Sequence, residues 1–247
     1  MNNRRSFITG IKSTKLSTLE KKFLKKYKPW GVILFSRNIQ NIKQTLKLTT
    51  SIRKIFNDKK YPILIDQEGG RVNRLKNIIA FDNLTSEFFG KIFIKDYKEF
   101  IFFYKLFVDK TSYLLKSIGV NINTSPVLDL RIKGKSNVIG DRAFSGDPRI
   151  VSKIGDHCIQ YFHQNGIGTV IKHIPGHGLA KVDSHFFTPI VSKNKEYLFK
   201  KDFITFKKKK SFFAMTAHII FNKIDDKNTV THSNKIIRLI RNKIGFK

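Results

Sequence analysis

Gly168-Thr169-Val170-Ile171-Lys172-His173-Ile174-Pro175-Gly176-His177-Gly178 changes character partway along. Gly168 to His173 is a short, mostly apolar run of strand length. Pro175, Gly176 and Gly178 forbid a continuing helix, so a loop follows at the strand's C-terminal end. Asp183-Ser184-His185 lies a few residues further on. A buried strand that hands over to a polar loop is the unit from which the fold is read.

Working outward, the same unit recurs. Gly31-Val32-Ile33-Leu34-Phe35 precedes Arg37 and Asn38, and Tyr61-Pro62-Ile63-Leu64-Ile65 ends in Asp66. A third strand region lies around Gly119 to Leu130 and contains Asp129; a fifth spans Phe212 to Ile220 and contains His218. Helical stretches separate them. Ser17-Thr18-Leu19-Glu20 is a capping-box pattern, and Pro29 ends the helix it opens. Further helices are expected around Asn41 to Phe56, from Lys98 to Ser117 with Gly119 as the stop, and from Asp147-Pro148 to Gly166. The last of these turns Val151, Ile154, Cys158, Tyr161 and Phe162 inward. Asn194 to Lys207 is another, and Ser233 caps a final one.

Strands alternating with helices imply a parallel sheet covered by helices. An open doubly wound sheet and a (β/α)8 barrel both fit. The polar residues favour the barrel, because they follow several different strands, and a barrel gathers all its strand C-termini into one site. The expected fold class is therefore α/β, a TIM (β/α)8-type barrel. It is incomplete: about five strand–helix units fill the chain, whereas a whole barrel of ~250 residues holds eight.

The loop after the fourth strand puts His173, His177 and His185 close to Asp183. Asp183 and His185 are two residues apart, so a carboxylate can hold an imidazole there, which suits a general acid/base near neutral pH. A metal site built from the three histidines is the competing reading; their spacing matches no helical zinc signature, so no metal is expected. The second polar segment, Asp66-Gln67-Glu68-Gly69-Gly70-Arg71-Val72-Asn73-Arg74, suits recognition of polyol hydroxyls and an acidic group. A structural ion pair between Glu68 and Arg71 is its plainer reading.

These two segments, with Gly31 to Asn38, Ser125-Pro126-Val127-Leu128-Asp129, Ile139-Gly140-Asp141-Arg142-Ala143-Phe144 and Met215-Thr216-Ala217-His218, resemble the motifs of bacterial β-N-acetylhexosaminidases of glycoside hydrolase family 3. The resemblance runs in order from about Gly10 to Lys247, and the Asp-Ser-His element marks the hexosaminidase branch. It implies that Asp66, Arg74, Arg142, Lys172 and His173 bind an N-acetylglucosamine ring. It makes His185 the acid/base and Asp183 its partner, with hydrolysis of a terminal β-linked sugar, net retention and no cofactor. It also implies an anionic cell-wall glycan, a muropeptide, as substrate. The family nucleophile is an aspartate in a Ser-Asp-Asp stretch after a Gly-Phe-x-Gly turn. Lys243 to Lys247 reaches that turn, so residues 1–247 are expected to form a C-terminally truncated barrel domain without the nucleophile. Asp225 and Asp226 are no substitute, since they read as a solvated turn. A sugar-binding remnant without catalysis is the alternative function.

The formal charge is +30 over 247 residues, with 40% hydrophobic and 27% charged residues. That composition is globular. The charge favours an anionic partner such as nucleic acid. But the lysines are scattered, with one dense cluster at Lys207 to Lys210, and neutral Asn and apolar Phe are abundant too. That pattern is codon bias, and no nucleic-acid partner is expected. The single cysteine, Cys158, excludes an internal disulfide and reads as a buried apolar side chain. No secretory signal or membrane-length apolar run is present, so no membrane contact and a cytoplasmic location are expected.

Overall fold

The computed structural model describes residues 4–132, 134, 137–182 and 187–246. The elements run β1 (Arg5–Gly10), α1 (Thr18–Tyr27), β2 (Pro29–Leu34), α2 (Ile42–Phe56), β3 (Ile63–Ile65), α3 (Ser86–Lys95), α4 (Tyr97–Ser117), β4 (Ile122–Asn123) and α5 (Pro148–Gln164). Then follow β5 (Gly168–Ile174), β6 (Ile190–Val191), α6 (Lys195–Lys200), β7 (Phe213–Thr216), β8 (Ile220–Phe221) and α7 (Asn234–Leu239). One sheet has the order β1-β2-β3-β4-β5-β7, with every pairing parallel. β6 and β8 form a small parallel pair of their own.

The sheet curls. Trp30 on β2 and Phe213 on β7 are separated by three strands in the sheet order, yet their rings lie 5.1 Å apart. Inside the curl, Leu64, Ile122 and Val170 pack with Trp30 and Ile33. The larger core lies outside, where the helices cover the sheet with residues such as Leu24, Ile52, Phe100, Ile154 and Phe162. This is a half-barrel of the α/β type, and it sends every strand's C-terminal end toward the same mouth.

Local chemistry fixes the helices that set these strand ends. In α1, Glu20 N–H donates to Ser17 Oγ at 3.1 Å and the Glu20 carboxylate accepts from Ser17 N–H at 2.8 Å, which is the capping box read from sequence. Asn41 caps α2 by accepting from Gln44 N–H at 2.8 Å. Asp147 caps α5 ahead of Pro148. Each such cap contributes about 1 kcal/mol.

Four expectations need correction. The main sheet has six strands among the described residues, not five, because β1 was not foreseen. It is an edge strand, half exposed along its length, and Ile8 is 45% exposed, so it lacks a continuous apolar run. The helix expected from Asn194 to Lys207 stops at Lys200, and a 3-10 turn at Phe203–Phe206 follows a break at Asp202. The strand expected from Phe212 to Ile220 divides: β7 stays in the main sheet, whereas β8 leaves it to pair with β6. Helix α3 was missed as well. Thr85 caps it by accepting from Phe88 N–H at 3.0 Å, and it presses on the loop around Arg142 so closely that a Cβ at Gly90 would lie 1.7 Å from the Phe144 carbonyl oxygen.

Candidate active site

The strand ends converge as the barrel reading requires. Asp66 directly follows β3, Thr124 follows β4, and Lys172 and His173 lie near the end of β5. Asp129 lies beyond β4, and Arg142 closes the short 3-10 turn Gly140–Arg142. A cavity of about 470 Å³ opens at this mouth, lined by all five residues expected to bind sugar: Asp66, Arg74, Arg142, Lys172 and His173. Glu68, His177 and His218 line it as well.

Lys172 is the hub. It is 2% exposed, and its ammonium contacts Asp66 Oδ1 at 2.9 Å, Glu68 Oε1 at 2.6 Å and Thr124 Oγ1 at 3.2 Å. Arg142 grips the same Glu68 in a bidentate pair, Nε to Oε2 at 2.8 Å and Nη2 to Oε1 at 2.9 Å. Burial alone would raise the Glu68 carboxyl's pKa. Lys172 and Arg142 outweigh burial and bring it to about 2. Asp66 responds in the same way: burial works against its charge, but Lys172 and the Thr124 hydroxyl hold it below the usual carboxylate range. Its Oδ2 faces Arg74 Nη2 at 3.8 Å.

A second unit sits beside the first. His173 Nδ1 lies 2.6 Å from Asp129 Oδ2, and His177 N–H donates to Asp129 Oδ1 at 2.7 Å. Burial raises the Asp129 pKa, but His173 and then His177 hold it low. The carboxylate fixes His173 as the Nδ1–H tautomer, which turns Nε2 into the acceptor. Burial lowers the His177 pKa despite Asp129. Three carboxylates (Asp66, Glu68 and Asp129) face three cations (Lys172, Arg142 and Arg74). The site is thus close to charge balance in a chain of +30, which suits a neutral polyhydroxylated ligand.

The expected acid/base pair, Asp183 and His185, lies outside the described residues. The ion pair between Glu68 and Arg71, the plainer reading of that segment, is not formed: Glu68 is taken by Lys172 and Arg142, and Arg71 pairs with Asp141 at 2.9 Å. Asp225 does not sit in a solvated turn. It is buried and accepts from the Ser233 hydroxyl at 2.6 Å, and that bond comes first among the contacts that bring its pKa to about 2. It ties a loop to the start of α7, far from an attacking role. Among the described residues, no cluster of three His, Cys, Asp or Glu side chains has metal-holding geometry. The Lys207 to Lys210 cluster is not uniformly solvated either, because Lys209 Nζ turns inward to Ser152 and Asp156.

Sequence reasoning left Asp129 and Glu68 without a role in the site. Asp129 carried a signal, a lone acid closing the apolar Val127-Leu128 pair at a strand end. Thr124 carried none.

The profile of the glycosyl hydrolase family 3 N-terminal domain matches residues 8–247. The chain belongs to this family. It is 36% identical over 222 residues to a beta-hexosaminidase of Hydrogenovibrio crunogenus, covering 89% of this chain and 61% of the relative. It is 34% identical to a beta-hexosaminidase of Nitrosomonas eutropha, covering 88% of this chain and 62% of that one. The chain therefore spans about three-fifths of these relatives' length. Among solved structures it resembles NagZ from Neisseria gonorrhoeae in complex with N-trifluoroacetyl-D-glucosamine, with a TM-score of 0.88 and 28% identity over 99% of this chain and 72% of that chain. A family 3 beta-N-acetylglucosaminidase from Paenibacillus sp. matches with a TM-score of 0.86 and 28% identity, over 97% of this chain and 46% of its own.

Proposed function

We propose that this chain carries the sugar-binding half of a retaining β-N-acetylhexosaminidase site. The observation behind this reading is the network in which one buried ammonium, Lys172, holds Asp66 and Glu68 at the floor of a cavity that Arg74, Arg142 and His173 complete. Asp66 is ionised and half-buried, so its free oxygen accepts from ring hydroxyls. Arg74 donates beside it, and His173 Nε2 accepts. Relatives named beta-hexosaminidase and a neighbour holding an N-acylated glucosamine support N-acetylglucosamine as the ring bound.

In the full reaction His185, oriented by Asp183, protonates the departing oxygen while a carboxylate attacks the anomeric carbon. The same imidazole then activates water. The two catalytic groups of a retaining enzyme stand about 5 Å apart across the sugar. Asp66, Glu68 and Asp129 are committed to Lys172, Arg142 and His173, so none of them supplies the attack. On this reading the nucleophile is none of these three, and the family resemblance implies that it is supplied from outside residues 1–247. A terminal β-linked N-acetylglucosamine on a muropeptide is the substrate this reading favours, and a positive surface field attracts such an anionic glycan. A cytoplasmic setting fits that role.

A chromogenic aryl β-N-acetylglucosaminide tests the division of labour. The 247-residue chain is expected to give no turnover above background. A clear rate that His185→Ala abolishes would contradict the absence of a nucleophile while supporting the rest.

A further inference from the structure

Asp202 sits at the break between α6 and the Phe203–Phe206 turn and is 1% exposed. Neither of its carboxyl oxygens has a hydrogen-bond partner among the described residues. Its neighbour is the backbone of Gly176: a Cβ placed on that glycine would lie 2.6 Å from the Asp202 Cβ and 3.3 Å from Oδ1. Gly176 adopts φ 140° in the turn that leads from His173 to His177, and its N–H donates to the His173 carbonyl at 2.7 Å. A carboxyl without donor or cation is tolerated in such a place when it is uncharged and is costly when it is charged.

We propose that Asp202 is a positioning residue: its uncharged carboxyl packs beneath Gly176 and holds the Lys172–Gly178 turn in its sugar-binding conformation, and loss of its proton releases that turn. The link to sugar rests on the function proposed above. Packing beneath Gly176 does not.

The surroundings agree. Burial, and then the negative charge of Asp129 from the segment beyond β4, push the Asp202 pKa up to about 7. Its own backbone N–H and then Lys201, the residue before it, act in the opposite sense without cancelling them. On the turn itself, His173 and His177 both hydrogen-bond Asp129. An ionised Asp202 would add a second negative charge beside Asp129, with only its own backbone N–H and the field of Lys201 to offset it. The turn that seals it then has to open to water.

The sign of the linkage is definite. A carboxyl whose folded pKa is raised contributes stability that is fully present below the unfolded value, near 4, and is lost as pH rises toward about 7. The test compares the unaltered chain with Asp202→Asn, which keeps the shape and cannot ionise. Thermal unfolding is followed from about pH 4 to 8, and N-acetylglucosamine affinity by calorimetry from about pH 6 to 8.5. The unaltered chain is expected to lose several degrees of Tm relative to the variant between about pH 4 and 7. It is also expected to lose affinity several-fold above neutrality where the variant does not.

If Asp202→Asn fails to fold, infrared spectroscopy of the unaltered chain decides. A protonated carboxylic acid band should persist near pH 5.5 and vanish by about 8.5. Parallel Tm profiles, no such band, or matching affinity profiles in two sugar-binding proteins would each overturn the proposal. If neither protein binds sugar at any pH, the sugar-binding reading fails, and the Tm and infrared results still decide the role of Asp202.

Discussion

Glu68 is where the residue-scale energetics concentrate, because it compensates two cations at once, the buried Lys172 and the partly buried Arg142. Lys172 is almost fully enclosed, and removing Glu68 leaves its ammonium with Asp66 as the one remaining carboxylate while Arg142 loses its bidentate partner. Glu68→Ala should therefore destabilise the fold by about 3–5 kcal/mol and lower Tm by about 10 °C, as read by calorimetric or circular-dichroism melting. A shift under about 2 °C would mean that the network is dispensable. The pH dependence has a fixed sign. The Glu68 pKa is depressed to about 2 on folding, so its contribution is present above the unfolded value of 4.5 and disappears as pH falls toward about 2. Glu68→Gln should flatten that acid limb. Asp129 is the second residue to test: Asp129→Asn frees His173 from its fixed tautomer and should weaken sugar binding roughly ten-fold with little loss of fold. From the sequence alone the cavity-lining residues were legible as polar side chains at strand ends or in the loops that follow them. Their buried partners were harder to read: Asp129 stood out as a lone acid after an apolar pair, but the pairing of Thr124 and Glu68 with Lys172 shows only when separate strands come together.

At the scale of elements, caps and close approaches decide the outcome. Ser17→Ala removes one arm of the capping box on α1 and should cost about 1 kcal/mol in a denaturant titration. Gly90→Ala has the opposite sign from the usual rule. Within a helix that change normally stabilises by roughly 0.5–1 kcal/mol, but here the new methyl would collide with the Phe144 carbonyl. A lower denaturation midpoint, with the loop around Arg142 displaced, is the expected result; a higher midpoint would show that α3 can retreat without cost. The boundaries of α1, α2 and α5 were readable because Ser17, Asn41 and Asp147 are strong local signals. β1 and α3 were not. An edge strand shows a weak alternation, and α3, although capped by Thr85, is separated from α4 by the single residue Asp96.

At the scale of the whole molecule, six parallel strands curl far enough for β2 and β7 to touch through Trp30 and Phe213, and the polar mouth follows from that curvature. The barrel class was legible because chemistry follows many strands, not one crevice. The number of strands was not, because β1 is short of apolar residues and β8 belongs to a separate pair. The net charge of +30 says little about the site, where carboxylates and cations are matched. The most direct measurement is isothermal titration of N-acetylglucosamine into the folded 247-residue chain, with Asp66→Asn as the control. Saturable binding that disappears in the control is the result predicted. Absence of binding in a chain shown by circular dichroism to be folded, or equal binding in the control, would contradict the assignment of this cavity to a sugar.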